Sequence, residues 1–244
     1  MFGKKKAILL IHGFVGGIYD FGDLTNELQI NKNIDVFSFT LPGHDLTIVS
    51  DVKYSEWVHE AERQMQFLIN HNYKEIYIVG HSMGGVIAAY LASTYKQVKK
   101  LVLVAPAFGF FSFKDGVLDI KGFNDSIKNM KNAIVDDTEI TFSRIIKTPI
   151  STMVEFTKLV NKYYDSVKDI TCETLIIRGC EDNIVPKEAT TYVYNNVKAK
   201  CVQLYNIREV NHNCFRARRC NQVIEVIEEF LLKINKNKKE TLNI

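Results

Sequence analysis

Gly80-His81-Ser82-Met83-Gly84 sets a serine between two glycines, and its flanks decide what that serine can do. The residues before it, Glu75-Ile76-Tyr77-Ile78-Val79, are β-branched and aromatic enough for a buried strand. Those after it, Gly85-Val86-Ile87-Ala88-Ala89-Tyr90-Leu91-Ala92, read as an apolar helix. A serine on so tight a strand-to-helix turn is a nucleophile elbow. Side chains at Gly80 and Gly84 would collide with neighbouring backbone. The turn lifts the Ser82 hydroxyl clear of the strand, and the helix N-terminus behind it favours developing negative charge.

A serine hydroxyl is too weakly acidic to attack an ester unaided. It needs an imidazole to take its proton and a carboxylate to hold that imidazole in the right tautomer. Asp182 is the carboxylate candidate, in the loop Gly179-Cys180-Glu181-Asp182-Asn183-Ile184-Val185-Pro186 that follows a strand-like run. Glu181 is its rival and reads better as a solvated loop charge. His212, in Val210-Asn211-His212-Asn213, is the base candidate among six histidines. His59 and His71 belong to a helix away from the site, while His12 and His44 are expected to shape loops by hydrogen bonding. His81 precedes the nucleophile, so its ring is expected to point away from the Ser82 hydroxyl. The order Ser82, Asp182, His212 is the one that accompanies this elbow.

Two backbone N–H groups are expected to form an oxyanion hole: that of Met83, directly after the nucleophile, and that of Phe14 in the loop His12-Gly13-Phe14-Val15-Gly16-Gly17. Donors of this kind stabilise a tetrahedral oxyanion by about 3 kcal/mol each. The same loop has neither G-x-G-x-x-G nor a Lys-Ser/Thr ending, which argues against a nucleotide phosphate site.

The elements that must carry these residues alternate along the chain. Strand-like runs fall at 7–11, 34–39, 75–79, 100–104, 174–178 and 201–205, with amphipathic or apolar helical patterns at 21–29, 55–70, 84–96, 187–195 and 221–234. Such alternation predicts a mostly parallel six-stranded sheet flanked by helices on both faces. Trp57, Ala61, Met65 and Leu68 should line the core face of one helix. The rhythm breaks between 105 and 169, where about 65 residues separate two sheet strands, far too many for an ordinary connection. Helical patterns at 123–134 and 151–165 make this interval a small inserted helical cap, placed at 107–168 after the fourth predicted strand. Phe108, Phe110 and Phe111 open it and are candidates either to line a substrate pocket or to anchor the cap. The Lys/Asn-rich segment 235–244 reads as a flexible basic tail on a single domain spanning 1–244.

Hydrophobic content of 46%, charged content of 24% and a net charge of +3 describe an ordinary globule with no bias toward nucleic acid. Five cysteines, odd in number and without the close pairing of a zinc site, read as reduced thiols. No cofactor and no metal are implied. No leader segment is evident, and no apolar run reaches the roughly 18 residues a spanning helix requires, so a cytoplasmic protein without stable membrane insertion is expected.

Several of these motifs together resemble the α/β-hydrolase superfamily, in particular its serine carboxylesterases and monoacylglycerol lipases. His12-Gly13-Phe14 is similar to the family's oxyanion loop, Leu41-Pro42-Gly43-His44 to its loop after the second strand, Gly80 to Gly85 to its elbow, and Gly179 to Pro186 to its acid turn. The resemblance covers roughly 6–232. Two features depart from it: the two strands that often open the family's sheet are missing, and Val210-Asn211 stands where a serine or glycine pair often precedes the base. The resemblance implies a serine hydrolase acting on a small-molecule ester of short to medium acyl chain, with monoacylglycerols as candidates, through an acyl-enzyme at Ser82. A thioesterase or amidase would use the same triad, and a non-catalytic small-molecule receptor can be built on the same fold. Oligomeric state is not legible.

Overall fold

In a computed structural model of the chain, residues 5–44, 50–109, 113–114, 117–118, 147–233, 235 and 237–244 are described. The aliphatic runs form a parallel sheet: β1 (Lys6–Ile11), β2 (Ile34–Ser38), β3 (Glu75–His81), β4 (Val98–Val104), β7 (Glu173–Gly179), β8 (Val202–Ile207) and β9 (Lys239–Asn243). Their spatial order is β2-β1-β3-β4-β7-β8-β9, and each neighbouring pair is parallel. A two-residue antiparallel pair, β5 (Phe113–Lys114) and β6 (Val117–Leu118), stands apart from this sheet. The helices are α1 (Leu24–Ile30), α2 (Tyr54–Asn70), α3 (Met83–Thr94), α4 (Ile150–Tyr163), α5 (Lys187–Asn196) and α6 (Cys220–Leu232).

Alternation along each strand feeds two cores. In β1, Ala7, Leu9 and Ile11 face a core shared with α2, α3, α4 and α5, whereas Ile8 and Leu10 face one shared with α1 and α6. Both faces are covered, as a parallel sheet requires. Trp57, Ala61, Met65 and Leu68 are buried on α2 as their spacing predicts.

The sheet has seven strands, and the expected six are corrected accordingly. The seventh comes from the segment expected to be a flexible basic tail. Residues 239–243 pair with β8 in continuous register from Val202↔Lys239 to Asn206↔Asn243. Beyond the ladder, Gln203 donates to Glu240 (3.0 Å), and the amide groups of Asn206 and Asn243 bond each other (2.9 Å). The strand lies at the sheet edge with alternating exposed and half-buried residues. Polar cross-strand pairs hold it, so no apolar periodicity announces it.

Reaching that edge requires the chain to reverse after α6. Lys100, on the central strand β4, is buried beneath the end of this helix. Its ammonium donates to the carbonyls of Phe230 (2.8 Å), Leu231 (3.1 Å) and Lys233 (2.6 Å), with Glu173 at 3.7 Å. A cation against helix C-terminal carbonyls is favourable for both the hydrogen bonds and the helix dipole.

Of the 105–169 interval, α4 and a 3-10 segment (Tyr164–Asp169) are described beside the β5–β6 pair. The helical pattern at 151–165 corresponds to α4, while that at 123–134 lies outside the described residues. Helix α4 packs on α2 and α3 and is tied to the start of α2, where the Tyr54 amide donates to Glu155 (3.1 Å).

Candidate active site

Strand order reverses at β1, since β2 lies on one side of it and β3 on the other. In open parallel sheets the crevice at such a switch point, beyond the strand carboxyl ends, is where ligands bind. The loop after β1 and the elbow after β3 meet there.

Ser82 sits at φ 51°, ψ −117°, directly before the first residue of α3. This left-handed strain is a cost the surrounding structure must override. The glycines explain how it is tolerated. A Cβ at Gly80 would overlap the Gly84 carbonyl, and one at Gly84 would overlap the carbonyls of Ile11 and His12. Gly13 lies so close that a Cβ there would stand 3.1 Å from the Ser82 Cβ. The Ser82 amide donates to Val104 (2.9 Å), and its carbonyl accepts from Gly85 (2.9 Å) and Ala107 (3.1 Å). Strain is thus met by backbone bonds on both sides.

The three residues distant in sequence converge. The Ser82 hydroxyl donates to Nε2 of His212 (3.0 Å), and Nδ1–H of His212 donates to Oδ2 of Asp182 (2.9 Å). Oδ1 of Asp182 accepts from the amides of Ile184 and Val185, each at 2.9 Å. Burial alone would raise the Asp182 pKa, but the His212 ring and these two amides outweigh it and hold the carboxyl below its usual range. An ionised carboxylate keeps the Nδ1–H tautomer in place, so Nε2 presents its lone pair to Ser82.

The acid and base loops are also joined through backbone. The amides of Cys180 and Glu181 donate to Ile207 (2.8 Å) and Val210 (2.9 Å). A Cβ at Gly179 would overlap the Val210 carbonyl, so this close approach demands glycine. Glu181, the rival acid, belongs to this loop while Asp182 makes the contact with His212.

Met83 opens α3, so its amide is one of those a helix leaves without an internal acceptor. In the loop after β1, the Gly16 amide closes a turn onto the Gly13 carbonyl (3.2 Å), and that turn makes no use of the Phe14 amide. Val15 takes φ 63° within it, an outlier for a β-branched residue. His12 shapes the neighbouring loops as expected: its Nδ1–H donates to the Gly13 carbonyl (2.8 Å) and its Nε2 accepts from the Leu41 amide (2.9 Å). The Phe14 ring stacks on Phe156 of α4 with centroids 4.9 Å apart and meets Trp57 edge-on at 6.1 Å.

Phe108 is fully buried, with its ring against Tyr164 (6.2 Å) and Tyr192 (6.5 Å). Phe110 and Phe111 lie outside the described residues. Sequence reading missed the role of His81. Its ring reaches the carbonyl of His212 (3.0 Å). No local signal foretells a bond across 131 positions. Among the described residues, no group of three or more His, Cys, Asp or Glu side chains is gathered as for a metal ion. None of their helices is long and apolar enough to cross a membrane.

Residues 6–121 match the family described as alpha/beta hydrolase fold. The chain is 31% identical over 205 residues to the predicted esterase/lipase 2 of Mycoplasma pneumoniae, covering 77% of this chain and 75% of that one. It is 24% identical over 213 residues to the thermostable monoacylglycerol lipase of Bacillus sp. strain H-257, covering 84% and 82%. The solved esterase EaEST of Exiguobacterium antarcticum shares the fold at a TM-score of 0.75 and 19% identity, over 95% of this chain and 93% of that one. With the switch-point site and the seven-stranded sheet, these likenesses define the class: the chain belongs to the α/β-hydrolase family. Within it the protein is an esterase/lipase, a carboxylic ester hydrolase.

Proposed function

We propose that Ser82 is the nucleophile of a serine esterase that cleaves short- to medium-chain carboxylic esters, monoacylglycerols among them, through an acyl-enzyme. The continuous relay from Ser82 through His212 to Asp182 carries this reading. As Oγ attacks the ester carbonyl, its proton passes to Nε2 of His212, and Asp182 stabilises the imidazolium. The tetrahedral oxyanion is received by the amides of Met83 and Phe14, each worth about 3 kcal/mol. Collapse expels the alcohol, which leaves with the proton held by His212. Water then enters, gives its proton to His212 and attacks the acyl-enzyme. Collapse of the second intermediate frees the acid and returns the proton to Ser82.

The Phe14 ring stacks on Phe156 of α4, which supports the interval 107–168 acting as a cap on the domain. The bond from the Ala107 amide to the Ser82 carbonyl ties the start of that interval to the nucleophile. All five cysteines are free thiols, which supports the cytoplasm as the working compartment.

Incubation with a fluorophosphonate followed by peptide mass spectrometry should place the adduct on Ser82. The Ser82→Ala variant should lose the adduct and at least about 10³-fold of its turnover of p-nitrophenyl butyrate. An adduct elsewhere, or turnover surviving in Ser82→Ala, would overturn the proposal. A p-nitrophenyl series of rising chain length beside acyl-CoAs reads chain preference and separates ester from thioester cleavage.

A further inference from the structure

His81 closes β3 one residue before the nucleophile and is almost entirely buried. Its Nε2 lies 3.0 Å from the backbone carbonyl of His212, and the two rings stand 5.1 Å apart. Phe215 meets the ring edge-on at 5.8 Å. On the other side a Cβ at Gly13 would come within 3.2 Å of Nδ1, so the ring is backed by bare backbone. Nδ1 is buried and has no hydrogen-bond partner.

These contacts fix the state of the ring. A carbonyl only accepts, so Nε2 must carry the proton and Nδ1 is left with its lone pair. A second proton on Nδ1 would put an N–H where nothing accepts it. Burial, reinforced by the neighbouring His212 ring, lowers the pKa to about 4, although the Asp182 charge acts in the opposite direction.

The base is therefore gripped from two sides. Asp182 orients the ring through Nδ1, and His81 holds the main chain that carries the ring. Because His81 is bonded in sequence to Ser82, this second grip ties the backbone of the base directly to that of the nucleophile. We propose that His81 is a positioning residue for proton transfer, its neutral Nε2–H fixing the His212 backbone so that Nε2 of the base stays within bonding reach of Ser82. The proposal rests on the triad reading above.

His81→Gln places an amide donor near the position of Nε2, whereas His81→Met has similar length and no donor. On p-nitrophenyl butyrate, H81Q should keep kcat within about threefold of the parent chain. H81M should lose about tenfold to a hundredfold in kcat with KM changed less than twofold. Fluorophosphonate labelling should slow in the same ratio, because it draws on the same proton transfer. If H81M retains the parent kcat, or if H81Q falls as far as H81M, the donor does not position the base and the proposal fails. His81→Leu supplies the donor-less comparison should H81M not fold. Labelling of the parent chain at Ser82 is read in the same assay, so failure of the triad itself shows separately.

Discussion

Both oxygens of Asp182 are engaged: one takes two loop amides and the other takes His212. In Asp182→Asn the amides of Ile184 and Val185 still require an oxygen, so the new NH₂ is driven toward His212. The imidazole must then surrender its Nδ1 proton and carry it on Nε2, where it no longer accepts from Ser82. Turnover of p-nitrophenyl butyrate should fall about 10³- to 10⁴-fold with KM little changed. A loss below tenfold would contradict the assigned orientation. His81 adds a pH signature. In the unfolded chain its imidazole takes up a proton near 6.5, whereas the folded ring does so only near 4. Between those values the unfolded state binds more protons, so stability falls as pH is lowered. At 1.36 kcal/mol per unit the loss is on the order of 3 kcal/mol. His212 and Asp182 face this ring and are present in both proteins when H81Q is compared with the parent by urea unfolding. The parent should lose about 3 kcal/mol more than H81Q between pH 6.5 and 4, and parallel curves would refute it.

At the scale of elements, the lysine beneath α6 joins helix, sheet centre and edge strand. Lys100→Met takes its ammonium from the carbonyls of Leu231 and Lys233 and from that of Phe230, which keeps only the Asn235 amide (2.9 Å). Unfolding free energy should drop by about 2–3 kcal/mol, with kcat at 25 °C unchanged because the site lies at the opposite end of β4. Denaturant midpoints and esterase assays check both halves of this expectation. The helices and central strands were legible because their residues repeat with the period of the face they bury, as Trp57, Ala61, Met65 and Leu68 do on α2. Strand β9 was not, because Lys239 to Asn243 carries charge and amides at a half-exposed edge. Its pairing is a property of β8 and of the reversal held by Lys100, and neither is local to those five residues.

At the scale of the molecule, β9 shields the edge of a sheet whose next strand, β8, carries buried Val202, Leu204 and Ile207. Ending the chain at Lys233 would expose the unpaired backbone of β8 beside these apolar side chains, a template for pairing with other chains. Light scattering should show the truncated protein forming larger assemblies than the full chain at equal concentration. Assemblies of equal size would mean that the strand has no protective role.

Taken alone, the residues determined which groups are candidates for the proposed chemistry. Ser82 with its glycines, Asp182 after its strand and His212 after the last predicted strand are legible because a tight turn imposes local sterics, and local sterics leave their mark in adjacent residues. Tertiary structure alone decided the grips between them. The bond from His81 to His212, the approach of Gly179 to Val210 and the stack of Phe14 on Phe156 depend on strand order and register. Those are set by the burial of many side chains at once, and no short stretch of chain encodes them.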